Sequence, residues 1–154
     1  VSALAVHPTN KDIVFVGTGQ LDYALKTAGT LRSINGGSTW CQIGPDWPPG
    51  VGHEFTQLIV LDFLVDGTTL WAATSKGLWS SPNALDAQTP CANVAWSLKG
   101  GLPQQSGTPE PVRQIFKSAW ANATYYAAVV RAVVSSKNGW WRSVDSGATW
   151  QQPA

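Results

Sequence analysis

The chain has 154 residues, the length of one ordinary domain, and 44% of them are hydrophobic, which is enough to build a core. Only 12% are charged and the net charge is +1, so the composition excludes an intrinsically disordered chain, which needs a high net charge and few aromatic residues. The basic residues form no cluster, which disfavours a nucleic-acid-binding protein.

Short strands are predicted along the chain, because runs of β-branched and aromatic residues alternate with Gly, Pro, Asn and Asp. They group into three units of four strands. In chain order the predicted strands are 2–7, 13–18, 29–35 and 39–43 in the first unit, 56–63, 69–75, 77–82 and 95–99 in the second, and 112–118, 124–133, 139–144 and 149–152 in the third.

An internal repeat supports this grouping. Residues 29–40 recur as residues 139–150, with the shared skeleton Gly-x-Leu/Trp-Arg-Ser-x-Asn/Asp-x-Gly-x-Thr-Trp. A degraded middle copy runs through residues 77–83 and resumes at Trp96 after about a dozen intervening residues. The tryptophans that end the three copies are 56 and 54 residues apart, at Trp40, Trp96 and Trp150. This spacing predicts units of about fifty residues, each long enough for four short strands.

Residues 112–134 carry a second pattern. Their apolar positions also fit a helical period, and their alanine content agrees with a helix. The repeat aligns this stretch with residues 1–17, where Pro8 and the run Ile13 to Val16 argue against a helix. We therefore predict strands here as well.

The sequence Ser-x-Asp-x-Gly-x-Thr-Trp at residues 143–150 resembles the Asp-box, or BNR repeat, of β-propellers such as sialidases, xyloglucan-degrading glycoside hydrolases, sortilin-type receptors and photosystem-assembly factors. Residues 33–40 match it with Asn35 in the acidic position. The resemblance implies an all-β fold made of propeller blades, each with four antiparallel strands. It predicts about three blades in a single propeller segment over 1–154, with approximate bounds 1–44, 55–100 and 111–152.

Three blades are too few to close a propeller, which typically has four to eight. We expect the ring to be completed by the remaining blades of a longer chain, or by a homo-oligomer in which two copies make six blades. A self-contained three-unit sandwich is a third alternative.

The repeated motif is expected to be a structural turn. Asp145 can accept bonds from backbone N–H groups two or more residues on, Gly147 can take a positive φ, and Trp150 brings a large apolar surface to the next strand. Asn35 can replace the carboxylate, because its carbonyl oxygen still accepts those bonds. A catalytic acid at Asp145 is the alternative. The residues given this structural role are Ser33, Asn35, Gly37, Thr39, Trp40, Ser143, Asp145, Gly147, Thr149 and Trp150.

Ligand-binding residues are expected at the ends of the blades opposite these turns, as the resemblance to propellers implies. The candidates are Trp47, Tyr23, His53 and Arg113. Trp47 lies in the sequence Pro-Asp-Trp-Pro-Pro. It offers a flat apolar platform for a sugar or a partner protein, or else fills the gap between two blades.

Glycoside hydrolysis would require two carboxyl groups about 5–9.5 Å apart. The candidate carboxylates are Asp62, Glu54 and Glu110, and their spacing marks no pair. A sialidase-like site would also need an arginine cluster, whereas Arg32 and Arg142 belong to the repeat. His7 and His53 stand far apart in sequence, so neither a metal site nor a cofactor is predicted.

Cys41 and Cys91 lie fifty residues apart, without the CxxC spacing of a zinc site. Neighbouring blades would bring them together in a disulfide, and the alternative is a pair of free buried thiols. A disulfide would imply an extracytoplasmic protein, whether secreted, periplasmic or at the cell surface. Asn122 begins an N-glycosylation sequon. The chain begins at Val1 and lacks methionine, so its N-terminus gives no localisation.

The sequence therefore predicts a non-catalytic propeller module for binding or assembly, with a protein or glycan ligand, within a larger or oligomeric extracytoplasmic protein. No membrane span is expected, because the best apolar run, 125–134, is half the necessary length and contains Arg131. The alternative function is a fragment of a propeller glycoside hydrolase, either sialidase-like or xyloglucanase-like.

Overall fold

The structure, a computed structural model, describes residues 1–19, 27–46, 58–121, 123–130, 132 and 135–153. In these ranges the chain forms three antiparallel sheets and one small hairpin. No helix among the described residues is long and apolar enough to cross a lipid bilayer. These antiparallel sheets confirm the predicted all-β fold of propeller blades.

Blade 1 is a four-stranded meander in which each strand pairs antiparallel with the next. Its strands are β1 (Ala3–Val6), β2 (Val14–Gly17), β3 (Thr30–Ser33) and β4 (Cys41–Gly44). The register places Phe15 opposite both Ala5 and Arg32, so these three side chains lie on the same face of the sheet.

Blade 2 is a second four-stranded meander. Its strands are β5 (Val60–Asp66), β6 (Thr69–Thr74), β7 (Gly77–Ser81) and β8 (Ser97–Leu98). The connection between β7 and β8 holds a short 3₁₀ helix, Cys91–Asn93. Strand β5 continues three residues past its predicted end at residue 63. It does so because a two-residue turn, with Gly67 at φ 58°, lets Asp66 pair with Thr69.

Blade 3 follows a two-stranded hairpin that the sequence did not predict. The hairpin contains β9 (Gln104–Gln105) and β10 (Thr108–Pro109), and the blade contains β11 (Val112–Lys117), β12 (Tyr125–Val129) and β13 (Gly139–Ser143). A 3₁₀ helix, Ser135–Lys137, precedes β13. The fourth strand predicted at 149–152 is reduced to one bridge between Arg142 and Gln151. The helical alternative is wrong for the described part of residues 112–134, because β11 and β12 lie there and the described residues up to 130 form no helix.

The three sheets stack in chain order, and their first strands are neighbours. Strand β5 contacts β1 and β2 on one side and β11 on the other. We call the face that a blade turns toward the next blade its forward face, and the opposite one its backward face.

Apolar side chains fill both inter-blade interfaces. Between blades 1 and 2, Phe15 and Ile43 pack with Leu70. Gly17 is needed here, because a Cβ at this position would lie 2.9 Å from Cβ of Val60. Between blades 2 and 3, the core includes Trp71, Leu78, Ile115, Tyr125 and Trp141.

The two ends of the stack differ from its interior. The backward face of blade 1 exposes Leu4 and Val6, and the forward face of blade 3 exposes Phe116 and Trp140. Large apolar side chains therefore lie in solvent where a further blade would cover them.

Candidate binding surface

The motif at residues 143–150 forms a turn held by its own side chains. The Asp145 carboxylate accepts hydrogen bonds from the Thr149 N–H at 2.9 Å, the Thr149 hydroxyl at 2.5 Å and the Ser143 hydroxyl at 2.7 Å. The Gly147 N–H donates to Ser143 Oγ at 2.8 Å. The Thr149 hydroxyl, and then the Thr149 N–H and the Ser143 hydroxyl, lower the pKa of Asp145 to about 2. The carboxylate is thus engaged inside its own turn.

The turn of blade 1 has the same geometry with an amide in place of the carboxylate. Asn35 Oδ1 accepts the Thr39 N–H at 2.9 Å and the Ser33 hydroxyl at 3.0 Å. Asn35 Nδ2 donates to Thr39 Oγ1 at 2.8 Å, where Asp145 accepts the equivalent hydroxyl. A neutral side chain therefore builds this turn as well, which fits a structural role.

The middle copy preserves the turn around an insertion, residues 84–95, which we call the insertion of blade 2. Asn83 Oδ1 accepts the Ala95 N–H at 2.9 Å, just before Trp96, as Asn35 Oδ1 accepts the Thr39 N–H just before Trp40. Asn83 Nδ2 donates to the Asn93 carbonyl at 3.0 Å. The insertion therefore lengthens the turn but keeps the hydrogen bond between the Asn83 side chain and the backbone N–H that precedes the tryptophan.

The tryptophans that end the three copies have unequal surroundings. Trp150 is 5% exposed and lies in the core between blades 2 and 3, and the half-buried Trp96 donates from Nε1 to the Ile43 carbonyl at 2.6 Å. Trp40 is 42% exposed. It is exposed because no described sheet lies against the backward face of blade 1.

The insertion of blade 2 is fastened to blade 1 by a buried arginine. Arg32 Nη1 donates to the carbonyls of Ala84 at 3.0 Å and Asp86 at 3.1 Å, and Nη2 donates to the Thr89 carbonyl at 2.5 Å. Burial lowers the pKa of Arg32, and the charge of Asp86 opposes this shift. The sequence marked Arg32 only as a repeat residue and gave no sign of these acceptors.

A disulfide between Cys41 and Cys91 lies beside this arginine, with the two Cα atoms 6.3 Å apart. Cys41 pairs with Arg32 across β3 and β4, so the disulfide and the guanidinium hold the same insertion. Apolar packing of Ile43 with Ala84 and Val94 completes the attachment.

The carboxylates of β5 connect blades 2 and 3. Asp62 accepts the backbone N–H of Ile115 at 3.0 Å and that of Phe63 at 2.9 Å. Burial raises the pKa of Asp62, and the two N–H groups oppose the shift. One hydrolase candidate therefore serves as a hydrogen-bond acceptor between two sheets.

Asp66 forms a second connection on the same face. It accepts a hydrogen bond from the Tyr125 hydroxyl and pairs with Lys117 Nζ at 2.7 Å. Burial alone would raise the pKa of Asp66, but the bonds from Lys117 and Tyr125 and the lysine charge lower it overall. Burial and then Asp66 raise the pKa of Tyr125 to about 12. Asp62 and Asp66 are four residues apart on one strand, about 13 Å at 3.3 Å per residue, which exceeds the spacing of hydrolase pairs.

Two of the remaining predicted site residues, Glu110 and Arg113, lie among the described residues. The other five, including the glycosylation candidate, lie outside the described residues: Trp47, Tyr23, His53, Glu54 and Asn122. Glu110 is buried just after β10. Arg113 is exposed on β11 and lines a cleft of about 430 Å³ together with Gln114 and Trp140. Within the described ranges, no three metal-ligating side chains lie close enough to hold an ion.

The most distinctive exposed surface is the forward face of blade 3. The Phe116 ring stacks on Tyr126, with centroids 5.0 Å apart, and meets Trp140 edge-on at 5.3 Å. Phe116 is 42% exposed and Trp140 45% exposed. Arg142 lies on the same face, opposite Tyr126, and lines a second cleft of about 440 Å³. Contiguous exposed aromatic surface of this kind is typical of an interface.

Trp120 is a separate exposed aromatic side chain at the tip of the β11–β12 turn, and it is 97% exposed. Ser118 Oγ accepts the backbone N–H groups of Trp120 and Ala121, each at 3.2 Å. These two bonds hold the backbone at Trp120 and Ala121, and the indole of Trp120 lies in solvent.

Two four-stranded meanders and one three-stranded meander, stacked with their first strands adjacent, define a segment of a β-propeller. No family model and no curated protein matches the sequence. The structure is similar to the GH74 xyloglucanase from Xanthomonas campestris, with a TM-score of 0.43 and 16% identity over 99% of this chain and 29% of that one. It is also similar to YCF48 bound to a D1 peptide, with a TM-score of 0.49 and 17% identity over 96% of this chain and 41% of that one. The chain spans less than half the length of either protein.

Proposed function

We propose that the chain is a non-catalytic Asp-box propeller module for assembly and binding, and that it works within a larger or oligomeric protein. The observation that carries the proposal is the exposed cluster of Phe116, Tyr126 and Trp140 on the forward face of blade 3. Exposure of these apolar rings to water is unfavourable, and a partner that covers the face removes that unfavourable free energy.

The state of the carboxylates supports a role without catalysis. Asp62 is bound by two backbone N–H groups, Asp66 by Lys117 and Tyr125, and Asp145 by its own turn. A glycosidase needs one carboxyl group that stays protonated near a second, ionised one. These three carboxylates instead hold the fold together.

The disulfide between Cys41 and Cys91 supports a place outside the cytoplasm, because such bonds form and persist in oxidising compartments. Trp120, which is 97% exposed, is the side chain we propose for contact with a protein or glycan ligand.

A hydrolysis screen on fluorogenic glycosides, run beside a glycan array, tests the proposal. We expect no turnover by the unmodified chain. On the array we expect glycan binding that weakens in Trp120→Ala and persists in Trp40→Ala. Turnover that disappears in Asp62→Asn, Glu54→Gln or Glu110→Gln would instead establish the alternative, a fragment of a sialidase-like or xyloglucanase-like hydrolase.

A further inference from the structure

We infer that the forward face of blade 3 is the docking surface for a fourth blade with an expanded connection between its third and fourth strands, and that Arg142 is the anchor for that connection. This inference rests on the proposed assembly role and adds the chemistry of the partner. The occupant is a β-sheet that presents several backbone carbonyls to a guanidinium group.

The first step is the equivalence of the three forward faces. The strand registers place Phe15 of blade 1, Trp71 of blade 2 and Tyr126 of blade 3 at the same position of the second strand. Phe15 and Trp71 are buried in the two inter-blade cores, whereas Tyr126 is half-buried and stacks on Phe116 of its own sheet. The position thus carries an aromatic ring in every blade, and in two of them that ring is an inter-blade contact.

Neighbouring positions repeat this difference. Thr30 and Leu78 are fully buried on the forward faces of blades 1 and 2, and their counterpart in blade 3 is the exposed Trp140. The exposed face of blade 3 therefore uses the positions that bury side chains in the other two interfaces.

The second step concerns the arginine. Arg32, Ser80 and Arg142 are equivalent by register. Arg32 precedes a blade with an expanded connection and binds three of its carbonyls. Ser80 precedes blade 3, whose connection is the tight turn at residues 143–150. In this chain the arginine occurs before a blade with an expanded connection, and the serine occurs before a blade with a tight one. Arg142 therefore indicates that the next blade has an expanded connection between its third and fourth strands.

The third step is the cleft beside Arg142. It measures about 440 Å³ and is lined by Arg142, Val144, Thr149, Gln151, Gln152 and Pro153. The repeat matches these residues to Arg32, Ile34, Thr39, Cys41, Gln42 and Ile43. In blade 1 three of these counterparts contact the insertion: Arg32 binds its carbonyls, Cys41 forms the disulfide, and Ile43 packs with Ala84, Leu85 and Val94. The cleft therefore lies where blade 1 holds the insertion of blade 2.

The cleft lined by Gln114, Ala128 and Trp140 has a similar explanation. By register its counterpart in blade 1 is the surface of Ala3 and Gly17, and Val60, the first residue of β5, packs there. Both clefts on the forward face of blade 3 therefore correspond to places that the next blade fills elsewhere in the chain.

A second copy of the chain is the less suitable occupant. Its blade 1 would dock with the tight turn of residues 33–40, which lacks an insertion. The guanidinium of Arg142 would then be covered without the carbonyl acceptors that Arg32 has, and an unsatisfied buried charge is costly.

A fusion protein tests the assignment with the full chain. We append a second copy of residues 45–100 directly after Ala154, because Trp150 precedes Ala154 by the same four residues that separate Trp40 from Gly44. The connection between blades 1 and 2 is thereby reproduced. In this fusion Gln151→Cys should form a disulfide with the appended copy of Cys91, detected by peptide mass mapping, since position 151 is the counterpart of Cys41. The melting temperature should rise by several degrees over the unfused chain.

A matched control appends residues 101–154 instead, which reproduces the connection from blade 2 to blade 3 and brings a tight turn. Arg142→Ser should lower the melting temperature of the first fusion and leave that of the control unchanged or raised. In the unfused chain the same substitution should change little, because Arg142 is exposed.

Absence of the crosslink, or an equal loss from Arg142→Ser in both fusions, would overturn the inference. So would a stable dimer of the unfused chain that Trp140→Ser and Arg142→Ser dissociate, because a second copy would then occupy the face. None of these outcomes depends on glycoside turnover, so failure of this inference is distinguishable from failure of the proposed function.

Discussion

The forward faces of blades 1 and 3 present similar chemistry in opposite environments. Phe15 and Arg32 are buried, and their counterparts Tyr126 and Arg142 lie on an open face. The difference lies in the neighbouring blade and not in the residues themselves. The burial of a repeat position therefore depends on the neighbouring unit as well as on the residue at that position.

The largest contrast is expected between the two aromatic rings. Phe15→Ala should destabilise the protein by about 3–5 kcal/mol, because it empties a fully buried site between two blades. Tyr126→Ala should cost about 1 kcal/mol or less. Urea unfolding of both variants measures the difference, and similar losses would contradict the contrast between the two faces.

The disulfide is expected to have the next largest effect. Replacing both Cys41 and Cys91 by serine should cost about 2–4 kcal/mol, since the bond closes a loop of 50 residues in the unfolded chain. Equilibrium unfolding of the double variant, with the reduced unmodified chain as a control, measures this loss. A change below about 0.5 kcal/mol would show that the insertion stays attached without the bond.

The two arginines give a third comparison. Arg32→Ala should cost about 2 kcal/mol, because three carbonyls of the insertion lose a charged donor. Arg142→Ala should fall within about 0.5 kcal/mol of the unmodified chain. Parallel thermal unfolding of the two variants makes the measurement, and a reversed order would remove Arg32 as the attachment point.

The smallest effect concerns pH and the two turns. The pKa of Asp145, about 2, lies below the unfolded value of about 3.9, so its contribution to stability is present above that unfolded value and is lost as the pH falls through about 2. Asp145→Asn should remove this part of the acid sensitivity, because Asn35 builds the same turn without a titrating group. Unfolding curves between about pH 4 and pH 2 compare the two proteins, and identical slopes would exclude Asp145 as the source.

Local sequence patterns predicted the all-β fold and most of its strands. The repeat carries its information locally, because the bonds of its turns join residues at most four apart, as between Asp145 and Thr149. The attachment of the insertion was not predicted, since Arg32 binds carbonyls 52 to 57 residues further on. Trp40 and Trp150 end equivalent copies of the motif, yet Trp150 is buried against blade 2 and Trp40 is exposed. The hairpin β9–β10 also carried no repeat signal.

The disulfide and the arginine beside it cross a blade boundary, and this has a consequence for how the molecule opens. They join β4 to the insertion of blade 2, so these two sheets should exchange their amide protons together as one cooperative unit. The forward side of blade 3 lacks such a crosslink among the described residues, and its fourth strand is a single bridge. Subglobal opening should therefore begin at the C-terminal sheet, whose forward face is the one we assign to a fourth blade.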